Sequence, residues 1–260
     1  MSSRRPDRRF PWLGEDERFV FPPPETSMPG GILCTGGNLS PGMLLSAYSQ
    51  GVFPWFNDED PIIWWSPDPR FCVLPAEVHL SDTMRKLLRK RPYELSLDTA
   101  FGDVIRRCSS VPRRGQDGTW ITADMIEAYV RMHDLGYAHS VEAWKDGVLV
   151  GGLYGMGLGA AFFGESMFSL EPDASKCAFL ALAWRLRDEG CLLMDSQVHT
   201  AHVASLGGRD MARDEYLARL GVALDRPTVK GDWGAAFPGF PESTGWAATV
   251  RPAMGQGHPS

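Results

Sequence analysis

From Gly147 to Gly164 the chain carries no charged residue, yet glycine stands at 147, 151, 152, 155, 157, 159 and 164. That combination restricts the fold more than any other stretch. A membrane span needs about 20 predominantly apolar residues, and this segment is barely long enough and heavily interrupted. Buried strands joined by tight turns satisfy both its apolar character and its glycines. AHSVEAW, a Lys-Asp-Gly turn, VLVGGLYGM, a Gly-Leu-Gly turn and AAFFGES then read as an antiparallel meander.

A helix follows. Pro172-Asp173 opens it, and Phe179, Leu182, Ala183 and Leu186 form its apolar stripe before Gly190 ends it. CLLMDSQV is the next short, mostly apolar strand. Upstream, Ser81 or Asp82 caps a helix running to Arg91, stopped by Pro92; Met84, Leu87 and Leu88 face inward. Further helices are expected near Thr99 to Cys108, over Ala123 to Leu135, through Leu206-Gly207 and over Met211 to Leu220. Residues 1–69 are rich in proline, glycine and tryptophan and leave room for short elements only, such as the helix that Ser40-Pro41 starts and Gly51 ends. The pattern predicts an α+β protein: a small loop-rich N-terminal domain (1–69), a mixed α/β main domain (70–226) and a Gly/Pro-rich tail without period (227–260). Strands, a long helix and another strand resemble the core of acetyltransferase-like (GNAT-type) domains.

Composition excludes several roles. A net charge of −6 over 260 residues argues against wrapping nucleic acid wholesale, though not against a local basic patch. Residues 81–114 supply one: Arg85, Lys86, Arg89 and Lys90, then Arg106, Arg107, Arg113 and Arg114. They read equally as a phosphate-backbone footprint or as solvated helix faces. Cys34, Cys72, Cys108, Cys177 and Cys191 are scattered without a C-x-x-C pair, which points away from disulfides or zinc and towards a reducing cytoplasm. The N-terminal MSSRRPDRRFPW is basic but lacks a signal peptide's apolar region. No third ligand type clusters with His199 and His202, so no metal is expected.

Two acidic positions draw attention. Leu193, Asp195 and Gln197 alternate onto one strand face, where a carboxylate and a carboxamide are costly to bury without partners; capping of the following helix is an equal alternative for Asp195. Glu165 ends an apolar strand, either opening on a site or pairing with an arginine at the rim. Ser166 lacks the final glycine of a nucleophile elbow. The glycines at 152, 155 and 157 lie within strands, where close packing explains them better than a phosphate cradle. The aromatics around Trp55, Trp64-Trp65 and Trp120 serve a small core or stack on unpaired bases.

LSPGMLLSAYSQGVFPWF, IIWWSPDPRFCVLP, GTWI, AHSVEAW, VGGLYG, FFGESMFS, DASK, LLMDSQ and HVASLG together resemble leucyl/phenylalanyl-tRNA–protein transferases, from about Phe21 to Leu220. The resemblance implies transfer of leucine or phenylalanine, with methionine a further candidate, from aminoacyl-tRNA to proteins beginning with arginine or lysine, which marks them for degradation. It places catalysis on Asp195, Gln197 and Glu165. It places an amino-acid pocket on Leu153, Phe162, Met167, Phe179, Leu182, Leu186 and Met194, and contacts to the tRNA 3' end or acceptor peptide on Tyr48, Trp55, Trp120 and Tyr129. Arg85, Lys86, Arg89 and Lys90 are then expected on the tRNA backbone, with no DNA or membrane partner. Leu170 departs from an expected arginine, Ser196 from a common cysteine and Leu153 from a frequent methionine. One apolar swap is worth only about 1–3 kcal/mol, so Leu153 shifts side-chain preference slightly.

An aminoacyl ester is already activated, so amide formation needs no ATP, metal or acetyl-CoA. The enzyme must bring amine and carbonyl together and stabilise the developing charge. The expected roles are Asp195 orienting and deprotonating the amine, Gln197 positioning it, and Glu165 binding the basic first residue. A CoA-dependent N-acyltransferase is the alternative; it requires a pyrophosphate loop that the helix at Asp173 lacks. A non-catalytic tRNA-binding module leaves the strand-end carboxylate and carboxamide unexplained.

Overall fold

In the computed structural model, which describes residues 10–111 and 120–250, the chain begins with a small antiparallel sheet. It comprises β1 (Ile32–Thr35), β2 (Phe53–Pro54) and β3 (Ile63–Trp65), ordered β1-β3-β2. Between the first two strands runs α1 (Pro41–Ser49), with proline at its first position, where no N–H is needed. Almost every residue of α1 is buried, Tyr48 included.

There follow β4 (Arg70–Val73), α2 (Asp82–Arg89), β5 (Glu94–Leu97), α3 (Phe101–Ser110) and α4 (Ala123–Asp134). Ser81 and Thr122 cap α2 and α4, each accepting a backbone N–H three residues on. The meander expected from the glycine-rich stretch is present as β6 (Ala138–Lys145), β7 (Val148–Leu158) and β8 (Ala161–Ser169). Asp146 and Gly147 turn β6 into β7 with positive φ at both positions (51° and 74°), the backbone of a tight hairpin. Gly151 serves packing instead: a Cβ there would lie 2.5 Å from that of Ala174.

Ala174 begins α5 (Ala174–Asp188), which leads to β9 (Leu193–Asp195). The chain continues through α6 (Ala201–Ala204), β10 (Arg209–Met211), α7 (Arg213–Leu224), α8 (Trp233–Ala236) and α9 (Thr244–Val250). The seven-stranded sheet is ordered β10-β4-β9-β8-β7-β6-β5. Among the described residues only β8 and β9 run parallel, as expected for strands joined by a crossover helix. The fold is therefore a mixed α/β arrangement of the α+β class.

Two cores sandwich the sheet. One joins Tyr48, Phe163, Leu193 and Tyr216 with residues of α3 and α4; the other joins α5 with Met84 and Leu88 of α2 and Trp246 of α9. The single stripe expected on α5 understates it, because Leu180, Ala181 and Trp184 are buried as well. The C-terminal stretch read as having no period supplies the cover: Trp246 meets Trp184 edge-on at 6.3 Å. Strands β4, β5 and β10 were not expected; at three or four residues each, they are too short to show alternation. Arg113, Arg114 and the basic residues before Phe10 lie outside the described residues. Among the described residues, no helix is long and apolar enough to cross a membrane. None of the five cysteines is in a disulfide.

Candidate active site

The parallel ladder pairs Phe163 with Asp195 and goes no further. β9 ends there while β8 continues to Ser169. Where the two part, β8 gains one residue. Tyr154 of β7 faces Ser166 and Gly155 faces Gly164, so Glu165 is the unpaired residue of a β-bulge. A bulge re-aims the side chain it carries. Here it turns an acid towards the end of β9.

Beyond Asp195 the backbone of Gln197 is left-handed (φ 65°), a conformation that costs a non-glycine residue on the order of 1 kcal/mol. Two contacts hold it. Asp195 Oδ1 accepts the Gln197 N–H at 2.8 Å, and the Gln197 carbonyl accepts the Phe71 N–H at 3.3 Å. The side chain thus aimed donates from Nε2 to Glu165 Oε1 at 2.9 Å. Strand alternation drew attention to Asp195 and Gln197, but it is this kink that joins Gln197 to Glu165.

Asp195 is fully committed. Arg70 Nε donates to Oδ1 at 2.9 Å and Nη2 to Oδ2 at 2.7 Å, and the Tyr216 hydroxyl donates to Oδ2 at 2.8 Å. With the Gln197 amide, these fill the four lone-pair sites of the carboxylate. Arg70 is itself buried, stacked between the rings of Phe53 (4.6 Å) and Tyr216 (4.7 Å), and its Nη1 donates to the Gly51 carbonyl at 3.2 Å. Burial opposes the guanidinium charge, but Asp195 outweighs it and raises the arginine's affinity for its proton. Sequence reasoning passed over Arg70 and Tyr216. The signal for Arg70 was present: a buried strand-end acid demands a cation, and an arginine opens the apolar run Phe71-Cys72-Val73-Leu74.

Glu165 has different company. Tyr48 donates to Oε1 at 2.7 Å and Tyr129 to Oε2 at 3.0 Å, while the two phenol oxygens also hydrogen-bond each other. Burial raises the carboxyl's pKa to about 7, against the pull of those donors. Tyr48 and Tyr129, expected at the tRNA 3' end or acceptor peptide, are fully buried and do not line the cleft described next; they stand behind Glu165.

Glu165, Asp195 and Gln197 contribute to the lining of a cleft of about 820 Å³. Its apolar wall includes Leu153, Phe162, Met167, Phe179 and Met194 of the expected pocket, and Trp55 and Trp120 contribute to the same lining. Leu182 and Leu186 are not among the lining residues; they are buried in the core beneath. Trp55 is braced by Trp65, whose indole N–H donates to the Trp55 carbonyl at 2.6 Å. His199 and His202 also reach the cleft, but among the described residues no group of three or more metal-ligating side chains forms. Arg85, Lys86 and Arg89 lie on α2 and Lys90 at its C-cap, away from the cleft lining; Arg89 also donates to the Thr249 carbonyl at 3.3 Å.

Fold and site describe a mixed α/β protein with an apolar cleft and a buried acid poised near neutrality, a site suited to binding an apolar group and handling a proton. A family model described as leucyl/phenylalanyl-tRNA protein transferase matches residues 72–221, and that family's N-terminal domain model matches residues 37–68. The leucyl/phenylalanyl-tRNA–protein transferase of Anaeromyxobacter dehalogenans (strain 2CP-C) is 53% identical over 222 residues, covering 85% of this chain and 95% of that protein. The Myxococcus xanthus (strain DK1622) protein of the same name is 51% identical over 226 residues, covering 86% and 97%. That of Chromobacterium violaceum is 48% identical over 226 residues, covering 86% and 96%. The chain belongs to the leucyl/phenylalanyl-tRNA protein transferase family.

Proposed function

We propose that this chain transfers leucine or phenylalanine, with methionine as a further candidate, from aminoacyl-tRNA to the N-terminus of proteins that begin with arginine or lysine, marking them for degradation. The observation that carries the reading is the linked Glu165–Gln197–Asp195 set lining an apolar cleft in a chain of this family. The apolar wall suits a leucyl or phenylalanyl side chain. Trp55 and Trp120 are placed to stack on the terminal bases of the tRNA. Arg85, Lys86, Arg89 and Lys90 are read as its backbone contacts.

Within the set, the role of Asp195 differs from the one first expected. Asp195 has no lone pair left for an amine proton, so its part is to hold Gln197. Glu165 keeps an unfilled site on Oε2 and draws in the terminal ammonium of the basic first residue of the acceptor. Gln197, its nitrogen given to Glu165, offers its amide oxygen to orient the amine. The main domain is read as acetyltransferase-like, with β6 to β8, α5 and β9 as its core, beside a small N-terminal domain ending near residue 69. A CoA-dependent N-acyltransferase fits less well, since Glu171-Pro172-Asp173 before α5 contains no glycine to cradle a pyrophosphate. Cysteines outside any disulfide agree with a cytoplasmic setting.

The test charges tRNA with labelled leucine and supplies a peptide beginning with arginine. Label should move to the peptide; label remaining on RNase-sensitive material refutes the reading. Calorimetry should show no CoA binding.

A further inference from the structure

The two buried tyrosines touch no substrate surface, yet both reach Glu165. The three groups close a ring of three oxygen–oxygen contacts: Tyr48 to Oε1 at 2.7 Å, Tyr129 to Oε2 at 3.0 Å, and Tyr48 to Tyr129. Each contact needs one proton, and the phenols supply two. With Glu165 ionised, one contact is left with facing lone pairs. With Glu165 protonated, the acid donates to one phenol, that phenol to the other, and the second phenol back to the carboxyl, so every contact is filled. The phenols do not lose their own protons: burial first, then the neighbouring Glu165 charge, raise both well above the usual tyrosine value.

We infer that Tyr48, Tyr129 and Glu165 form a proton-accepting ring, in which Glu165 takes the first proton of the acceptor ammonium and the tyrosines act as positioning residues that stabilise the protonated acid. The inference rests on the transferase reading and assigns its base. The ammonium gives one proton to Glu165, and the neutral amine attacks the ester carbonyl. As the C–N bond forms and the C–O bond to the terminal ribose breaks, a second N–H proton passes to the ribose oxygen. Glu165 then releases its proton to solvent. The ammonium's three protons are thereby accounted for: one stays on the amide, one goes to the ribose and one leaves from Glu165 to the cleft.

The proton transfer is well matched. Glu165 titrates at about 7, against roughly 7.7–8.0 for a terminal amine, and a base close to the operating pH is the effective one. The groups facing Glu165 support this. Tyr48 comes from α1, Tyr129 from α4 with Tyr154 of β7 edge-on beside it, and Gln197 from the loop after β9. Asp195 opposes ionisation of Glu165, and Arg70 compensates that charge through its direct ion pair.

Infrared spectroscopy of the free protein tests the ring without any transfer. A protonated-carboxyl C=O band should fade as pH rises through neutrality and be absent in Glu165→Gln. In Tyr48→Phe and Tyr129→Phe the band should move to higher frequency, because opening the ring weakens the hydrogen bonding of the acid. Thermal melts and circular dichroism establish that each variant is folded. Single-turnover transfer at saturating charged tRNA should fall about a hundredfold or more in Glu165→Gln, and its pH profile should shift in the tyrosine variants. A missing band, a band unmoved in both tyrosine variants, or wild-type transfer by Glu165→Gln overturns the inference. A titrating band in a protein that transfers nothing leaves the ring standing and refutes the function instead.

Discussion

Replacing Arg70 by methionine removes every guanidinium donor from Asp195 and leaves that carboxylate buried with only the Tyr216 hydroxyl and the Gln197 amide. Both partners of the pair are essentially inaccessible, with side-chain exposures of 1% and 0%, so solvent cannot take the arginine's place. Breaking a buried pair from one side costs about 3–5 kcal/mol, a large share of a typical stability of about 5–15 kcal/mol. The stacking of Arg70 on Phe53 and Tyr216 is lost as well. Urea unfolding followed by tryptophan fluorescence measures the loss. The double variant Arg70→Met, Asp195→Leu removes both charges and should recover most of it, since a buried pair replaced by apolar groups of similar volume is often neutral or better. Arg70→Lys keeps the charge but not the fork; it should lower kcat through Gln197 while leaving the KM for charged tRNA nearly unchanged. The reasoning fails if Arg70→Met stays within about 1 kcal/mol of wild type, or if the double variant is as unstable as the sum of the two single variants.

Glu165 gives a pH-dependent expectation. Its folded pKa of about 7 lies above its ordinary value of 4.5, so its contribution to stability is complete below the ordinary value and is lost as pH rises to neutrality, by roughly 3 kcal/mol. Denaturation across that window should show wild type losing this amount relative to Glu165→Gln, and parallel curves contradict it. Phe179→Ala widens the cleft and should shift the kcat/KM ratio towards phenylalanine over leucine by about tenfold, measured with the two charged tRNAs in competition. Charge reversal at Arg85, Lys86 and Lys90 should raise the KM for charged tRNA and flatten its salt dependence with kcat unchanged; a kcat effect with unchanged KM contradicts the footprint on α2.

The meander was legible because its glycines and missing charges leave few alternatives. The helix at Asp82 was legible because it has both a cap and an apolar stripe, and the one at Ala123 because Gly136 ends it. Asp195 and Gln197 stood out on a single strand face, and Glu165 as a charge in an apolar run. Their union was not legible. It depends on a bulge that displaces Glu165 and on a left-handed Gln197, and neither leaves a periodic trace. Arg70 and Tyr216 come from β4 and α7, 125 residues before and 21 after Asp195, and only the assembled sheet brings them together. Tyr48 and Tyr129 drew notice as aromatics of a resembling family, yet their burial behind the acid follows from how α1 and α4 pack. Leu182 and Leu186 share a stripe with Phe179, but the helix is enclosed on several sides, so the stripe did not show which residues reach the cleft.

The most direct test places a photoreactive phenylalanine on the tRNA and maps where it attaches. Phenylalanine carrying an aryl azide, charged onto tRNA and irradiated with the protein, should cross-link to the cleft wall formed by Leu153, Phe162, Met167, Phe179 and Met194, as read by peptide mass spectrometry. Unlabelled charged tRNA should compete the cross-link away. Attachment confined to the surface of α2, or cross-linking that competitor does not reduce, contradicts the cleft as the seat of the aminoacyl group.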